Sequence, residues 1–480
     1  MATGLASGHR APILLIASLS AALIVIHVAL FGDAARRVMF PARVFDERRD
    51  ALILPRNRTE ARFDRVWMES TGPNSGLVHV RFDKSCLSDV GHPVLRIRVM
   101  GPQILLLDAK PTSDPAYWIA PYTIECIGRY TIEVMPLFTD FVEEDIKHGQ
   151  IIAQWPPFFD LHEFFISVET AHCPLRTSWA ESPVCTPELM DKGGTWIIDP
   201  SDDFNDEETF PVDTVRWWLE RTNFAMGPGE EPPHDMLGFH RFYYRDLGIP
   251  NAKWEHPQIK VRFARLQYRF FHCQLQDDGL NWVKRCGLTT PEQRICVFGD
   301  SQMRLLHTML SEVVDPTNEV CAGTYTQDVC PSDYVRYTPD LYGSVSPGAC
   351  SGCTHVLFNF GQHPLGWTEN PPFPGERFRQ MVRDLFQRFK GSNLKAYWVS
   401  VNTMAFNRRV MQNFDWRHPG TIPYYNRIAA EEAKKVNFPV IDIYSISSVL
   451  NDISYDGGHY KAPVARPYAL KALTTACHAE

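Results

Sequence analysis

Two short stretches, far apart in the chain, hold residue types suited to acyl-group chemistry. One is Gly299-Asp300-Ser301, and the other is Ser454-Tyr455-Asp456-Gly457-Gly458-His459-Tyr460. A serine hydroxyl is a poor nucleophile until a positioned base removes its proton. In the second stretch an Asp stands three residues before a His, with two glycines between them. One tight loop then presents both side chains on the same side. Asp456 accepts from one imidazole nitrogen and fixes the tautomer, and the other nitrogen of His459 is left for the serine proton. Alone, Gly-Asp-Ser is more simply a turn with a capping serine. Paired with Asp-x-x-His, it reads as Ser301, His459 and Asp456 of an acyl-serine mechanism.

The elements around these residues place them at one rim. The apolar run 295–298 predicts a buried strand, and Gly299-Asp300 breaks it. From Ser301 the pattern is helical, with Met303, Leu306, His307 and Leu310 on one face. Ser301 therefore sits at a strand-to-helix turn, where a helix N-terminus offers backbone N–H groups to a developing oxyanion. Arg304, one turn along, points near the same rim. It either orders the active-site loops, faces an anionic donor or sugar carboxylate, or lies on a solvated face. Further on, strands are expected at 355–360, 394–401 and 440–444. Helices are expected from the spacing of Phe378, Met381, Val382, Leu385, Phe386 and Phe389, and at 422–436 and 462–477. Alternating strands and helices over 291–480 predict a doubly wound α/β domain with a parallel sheet. Ligands bind such sheets at the carboxyl ends of strands, where Ser301 and Asn359 both fall.

Upstream the period changes to two. Val78, Val80 and Phe82 alternate with His79 and Arg81, and Leu95, Ile97 and Val99 with Arg96 and Arg98. Residues 63–200 thus read as an antiparallel β-sandwich, immunoglobulin-like, with polar outer strand faces. Cys86 with Cys126, and Cys173 with Cys185, are guesses at its disulfides. The sandwich is either a support or a binder of glycan or a partner. Residues 201–290 read as a linker and inter-domain packing segment. Its acidic run at 201–208 lacks the ligand spacing of a calcium loop and reads as solvated surface. His363 and His418 read as surface or packing histidines, and Trp367 and Trp416 as rim or core rings.

Residues 13–31 form an apolar run about long enough to span a bilayer, which predicts a signal anchor after a short tail at 1–12. Gly32-Asp33-Ala34-Ala35 offers a cleavage site as the alternative. Residues 32–62 read as a stem. More positive residues follow the apolar run than precede it, which favours a cytoplasmic body. The 12 cysteines all lie beyond the run, and Asn57-Arg58-Thr59 is a glycosylation sequon. Both favour an oxidising lumen. The expectation is a single-pass type II protein of the Golgi or ER membrane with a lumenal body, or a secreted one. Cys350-Ser351-Gly352-Cys353 fits disulfides better than zinc, so no metal is expected. A net charge of −8 over 480 residues, without a basic stripe, argues against nucleic acid.

The 291–480 region resembles the SGNH or GDSL-like superfamily. Within it, the region looks like the PC-esterase branch, which holds the trichome-birefringence-like polysaccharide O-acetyltransferases and the sialic acid O-acetyltransferase catalytic domain. The resemblance rests on Gly299-Asp300-Ser301 with Arg304, on Phe358-Asn359-Phe360-Gly361-Gln362-His363, and on Asp456-Gly457-Gly458-His459-Tyr460. It implies an SGNH-like three-layer fold with Ser301 as nucleophile, His459 as base and Asp456 as its orienter. It also implies oxyanion donors from the Ser301 N–H and from the middle block, Asn359 and Gly361. Gly323 or Gly343 is the candidate for a further oxyanion glycine. Gln362-His363-Pro364 departs from the plant form, where aromatics follow.

The function expected is carbohydrate O-acyl transfer, with O-acetyl transfer to a glycan hydroxyl preferred. No cofactor is expected, and the acetyl donor, acetyl-CoA or an acetylated carrier, is a co-substrate. A carbohydrate acetylesterase or GDSL-type ester hydrolase is the alternative from the same chemistry. A secreted glycan-binding protein without catalysis is the alternative from another class.

Overall fold

The computed structural model describes residues 63–72, 74–82, 94–100, 103–126, 128–138, 160–166, 181–198, 266–290, 292–317, 332–365, 373–403, 417, 421–450, 459–460 and 465–478. The apolar run at 13–31, the stem and sequon, the acidic run at 201–208, Gly323, Trp367, Trp416, His418 and Asp456 lie outside the described residues. Among the described residues no helix is long and apolar enough to cross a membrane.

The first strands are β1 (Phe63–Ser70), β2 (Ser75–Phe82), β3 (Val94–Met100), β4 (Gln103–Leu107), β5 (Lys110–Pro111), β6 (Tyr117–Thr123), β7 (Gly128–Phe138) and β8 (Asp160–Ile166). A short helix α1 (Pro187–Met190), β9 (Gly194–Ile198) and β10 (Leu266–Phe270) follow. They make two antiparallel sheets, in the orders β1-β2-β6-β5 and β10-β9-β4-β3-β7-β8. Alternation decides what faces inward. Val78, Val80 and Phe82 of β2 meet Ile97 and Val99 of β3, Trp118 and Ala120 of β6, and Ile132 and Val134 of β7 in one core. This is the two-sheet packing expected of a sandwich.

Three features depart from the expected layout. β10 comes from the stretch read as a linker and pairs antiparallel with β9, so this strand lies beyond the expected end of the sandwich at residue 200. Cys185 bonds Cys273, not Cys173, because Cys273 follows β10 closely. Cys126 is disulfide-bonded, and its partner lies outside the described residues. The outer face of β3 is not solvated at Arg98, which is 0% exposed.

The second half contains α2 (Asn281–Arg285), β11 (Arg294–Gly299), α3 (Ser301–Val314), β12 (Val335–Pro339), β13 (Cys353–Asn359), α4 (Gly375–Phe389), β14 (Lys395–Val399), α5 (Thr421–Val436), β15 (Val440–Ile441), α6 (Tyr444–Ser448) and α7 (Arg466–Ala476). β11 to β15 form a five-stranded sheet in the order β12-β11-β13-β14-β15, all parallel. Alternate residues serve opposite layers. Ile295 and Val297 pack with Met303, Leu306 and Leu310 of α3 and Leu473 of α7. Cys296 and Phe298 face Phe378, Val382 and Phe386 of α4 and Ile422 and Tyr425 of α5. Helices on both faces complete a three-layer, doubly wound sheet. Cys296–Cys353 ties β11 to β13, and Cys286–Cys477 ties the turn after α2 to the end of α7.

The six-stranded sheet turns its other face to this domain. Ile104, Trp196, Tyr268 and Phe270 share a core with Trp282, Ile446, Val449 and Tyr468. Trp196 Nε1 donates to Ile446 O at 2.8 Å, and Arg98 Nη1 to Val449 O at 3.0 Å.

Candidate active site

β11 ends at Gly299, where the backbone takes φ 151°. A Cβ there would lie 2.3 Å from Asn359 O and 2.5 Å from Met303 Cγ, so the turn requires glycine. Asp300, not Ser301, is the helix cap. Its Oδ1 accepts from Gln302 N at 2.8 Å, and its carbonyl from Arg304 N at 3.0 Å. Ser301 is the first helical residue and is half-buried. The edge strand props the turn. Tyr337 Oη donates to Gly299 O at 2.9 Å and to Asp300 O at 3.1 Å.

His459 Nε2 lies 2.7 Å from Ser301 Oγ. The ring is held through its neighbour. Tyr460 is buried, donates to Thr403 O at 3.2 Å and packs edge-on against Tyr468 of α7. Asp456 lies outside the described residues, so its geometry toward His459 is not described.

Asn359 closes β13 with both ends of its amide engaged. Nδ2 donates to Val399 O at 2.6 Å, and Oδ1 accepts from Gly361 N at 2.9 Å. The Gly361 N–H, expected as an oxyanion donor, has this partner within its own turn. A side chain at Gly361 would strike Val401 Cγ2 at 2.4 Å. This turn delivers Gln362, which is 1% exposed and donates from Nε2 to Ser301 Oγ at 3.3 Å. Gln302, the residue after the serine, accepts from Asn402 N at 3.2 Å and ties the helix start to the chain beyond β14.

Solved structures similar to the chain include an acetyl xylan esterase, at 15% identity and a TM-score of 0.28, covering 37% of this chain and 97% of that one. A GDSL-like lipase from Bacteroides thetaiotaomicron gives 13% identity and a TM-score of 0.27, covering 41% and 95%. Neither a family model nor a curated protein sequence matches the chain.

The electrostatics centre on Asp300. Burial raises its pKa, against the pull of His363, the Gln302 N–H, the Gln362 amide and His459. Tyr337 is pushed up to about 12 by burial and by Asp300, with Arg304 opposing. Arg304 therefore lies toward Tyr337, on the β12 side of the turn. Gly343 follows β12 on the same rim with φ 67°, its Cα packed against the Phe360 ring. Among the described residues no three His, Cys, Asp or Glu side chains converge as a metal site. Cys353 of the Cys-x-x-Cys stretch is in a disulfide, and the Cys350 thiol is buried.

Sequence reading passed over Gln362, Asp300 and Tyr337 as members of the site. Gln362 stood in view inside the Asn-x-Gly block, but glutamine carries no spacing signature of its own. His363, read as a surface or packing histidine, is after burial the largest influence on the Asp300 pKa and lowers it.

Proposed function

We propose that the protein is an acyl-ester enzyme that works through an acyl group on Ser301 and acts on carbohydrate. One observation carries this reading. Ser301 Oγ and His459 Nε2, 158 residues apart in sequence, meet at 2.7 Å at the carboxyl end of a parallel sheet. A hydroxyl in that position gives its proton to the imidazole as it attacks an ester carbonyl. Asp456 is assigned to orient His459, and the Ser301 N–H at the helix start to the oxyanion. Asn359 shapes the neighbouring turn, and Arg304 faces the substrate rim.

Transfer of acetyl to a glycan hydroxyl is the preferred reaction, from acetyl-CoA or an acetylated carrier. Its motif support is the PC-esterase-like spacing of Arg304 behind Ser301. The protein is placed in the Golgi or ER lumen, anchored through residues 13–31. Three disulfides among the described residues favour such an oxidising compartment. Hydrolysis is the second reading, and the partial exposure of Ser301 favours it, because water competes with a sugar hydroxyl unless it is excluded.

The test uses an acetyl ester and a fluorophosphonate probe. A covalent adduct is expected at Ser301, with loss of adduct and turnover in Ser301→Ala and loss of turnover in His459→Ala, all three proteins remaining folded. A folded wild-type protein without the adduct refutes the covalent mechanism. Adding glycan acceptors then separates the two reactions. Acetylated sugar identifies the transferase, and free acetate alone identifies the esterase.

A further inference from the structure

We propose that Gln362 is a catalytic residue, whose amide holds Ser301 Oγ and stabilises that oxygen as its proton leaves. The inference rests on the reading of Ser301 as nucleophile. A hydroxyl oxygen carries one proton and two lone pairs. In the resting site the proton is directed to His459 Nε2 at 2.7 Å, and one lone pair receives the Gln362 N–H at 3.3 Å. These two bonds set the side-chain torsion and leave the remaining lone pair for the substrate.

The amide is fixed in this sense by what surrounds it. Gln362 is buried, and the buried Asp300 carboxyl lies on its amide side, where Gln362 acts to lower the pKa of that carboxyl. Turning the amide over would replace the Nε2 donor by an oxygen acceptor at Ser301 Oγ, whose one proton is already directed to His459. The turn itself is fixed by Asn359, which binds Val399 O with one end and Gly361 N with the other. Asn359 is then a positioning residue, and Gln362 touches the reacting atom.

The chemistry gives the contact its value. In acylation the Oγ proton passes to His459 Nε2. The lone pair left open on Oγ forms the bond to the ester carbonyl carbon, the former O–H pair stays on Oγ, and the carbonyl π pair moves onto its oxygen. The tetrahedral centre collapses, the alcohol oxygen departs with the proton from His459, and the acyl group stays on Ser301. Deacylation runs the same steps in reverse, with a sugar hydroxyl or water as the attacking group. In both halves Oγ carries negative charge close to the transition state. A neutral N–H bond to it then becomes charge-assisted, so it strengthens where the barrier is highest.

The experiment compares wild type, Gln362→Met and Gln362→Glu in the full chain. It measures acetyl-ester turnover across pH, fluorophosphonate labelling of Ser301 and thermal melting. Gln362→Met keeps the bulk and removes the donor. Its kcat is expected to fall about 10- to 100-fold, with KM changed less than about twofold. Gln362→Glu is expected to be active where the introduced carboxyl is protonated and donates, and to lose activity as it ionises. That gives a falling alkaline limb absent from wild type. Wild-type kcat in Gln362→Met overturns the proposal. If Gln362→Met fails to fold, a wild-type pH profile in Gln362→Glu overturns it instead. A folded wild type that does not label at Ser301 refutes the underlying reading, and the inference falls with it.

Discussion

A single methyl group tests the turn that carries the nucleophile. At Gly299 the φ of 151° and a Cβ contact of 2.3 Å with Asn359 O leave no room for alanine without moving β11 from β13. Gly299→Ala is expected to destabilise the protein by about 1–3 kcal/mol. It is also expected to lower ester turnover beyond the loss of folded protein, because the displaced strand leads directly into Ser301. Chemical denaturation and turnover per folded molecule measure the two effects. At this scale Ser301 and His459 were legible because each lies in a short, spaced block. Gln362 and Tyr337 were not. Their places depend on Asn359 turning the chain after β13, and on β12 pairing with β11, neither of which leaves a periodic signal.

Among the helices, α4 and α5 are joined by a charge cluster beneath their apolar stripe. The Glu432 side chain is 1% exposed. It binds Arg379 Nη1 at 2.9 Å, Arg383 Nε at 3.0 Å and Lys435 Nζ at 2.6 Å. Burial works to raise its pKa, but hydrogen bonds from Arg383, Lys435 and Arg379 outweigh it and bring the pKa to about 2. A depressed carboxylate stabilises the fold above its unfolded pKa, near 4.5, and that stability is lost as pH falls toward 2. Glu432→Gln is expected to cost about 1–2 kcal/mol near pH 6, after screening at its half-exposed partners. The gap to wild type should shrink by more than half at pH 3, as read by urea denaturation at both pH values. α4 was legible from helical spacing, since Phe378, Val382, Leu385 and Phe386 repeat on one face. β12 was not: it is an edge strand ending at Pro339, with Arg336 and Tyr337 only half-buried. β15 has two residues, too few to show a period, and Tyr444 opens α6 instead of extending it.

Across the whole molecule the sandwich is a brace for the α/β domain. Arg98 and Trp196 hold the carbonyls of Val449 and Ile446 from the far side, at the point where the chain leaves α6 on its way to His459. Arg98→Met is expected to destabilise by about 1–3 kcal/mol, the range for stranding a buried hydrogen-bonding group. Turnover per folded molecule should also fall, since the support of the chain leading to His459 loosens. Paired melting and turnover measurements decide it. Turnover that tracks only the folded fraction would make the sandwich a stabiliser and nothing more. The two sheet types were legible from their periods, but their union was not. In an alternating strand, Arg98 has the pattern of a solvent-facing residue, and only the second domain packed on that face buries it.

The Cys286–Cys477 bond has a mechanical consequence. The cysteines stand 191 residues apart, one before β11 and the other just after α7. Tension applied to the chain on either side enters at one sulfur and leaves at the other. The parallel sheet, Ser301 and His459 lie inside the covalent loop, and none of that tension runs along their backbone. Roughly 65 nm of contour, at about 3.4 Å per residue, stays shielded while the bond is intact. Stretching the rest of the chain therefore cannot extend the backbone that carries Ser301 and His459, and reaches it only through side-chain contacts such as Arg98 on Val449 O.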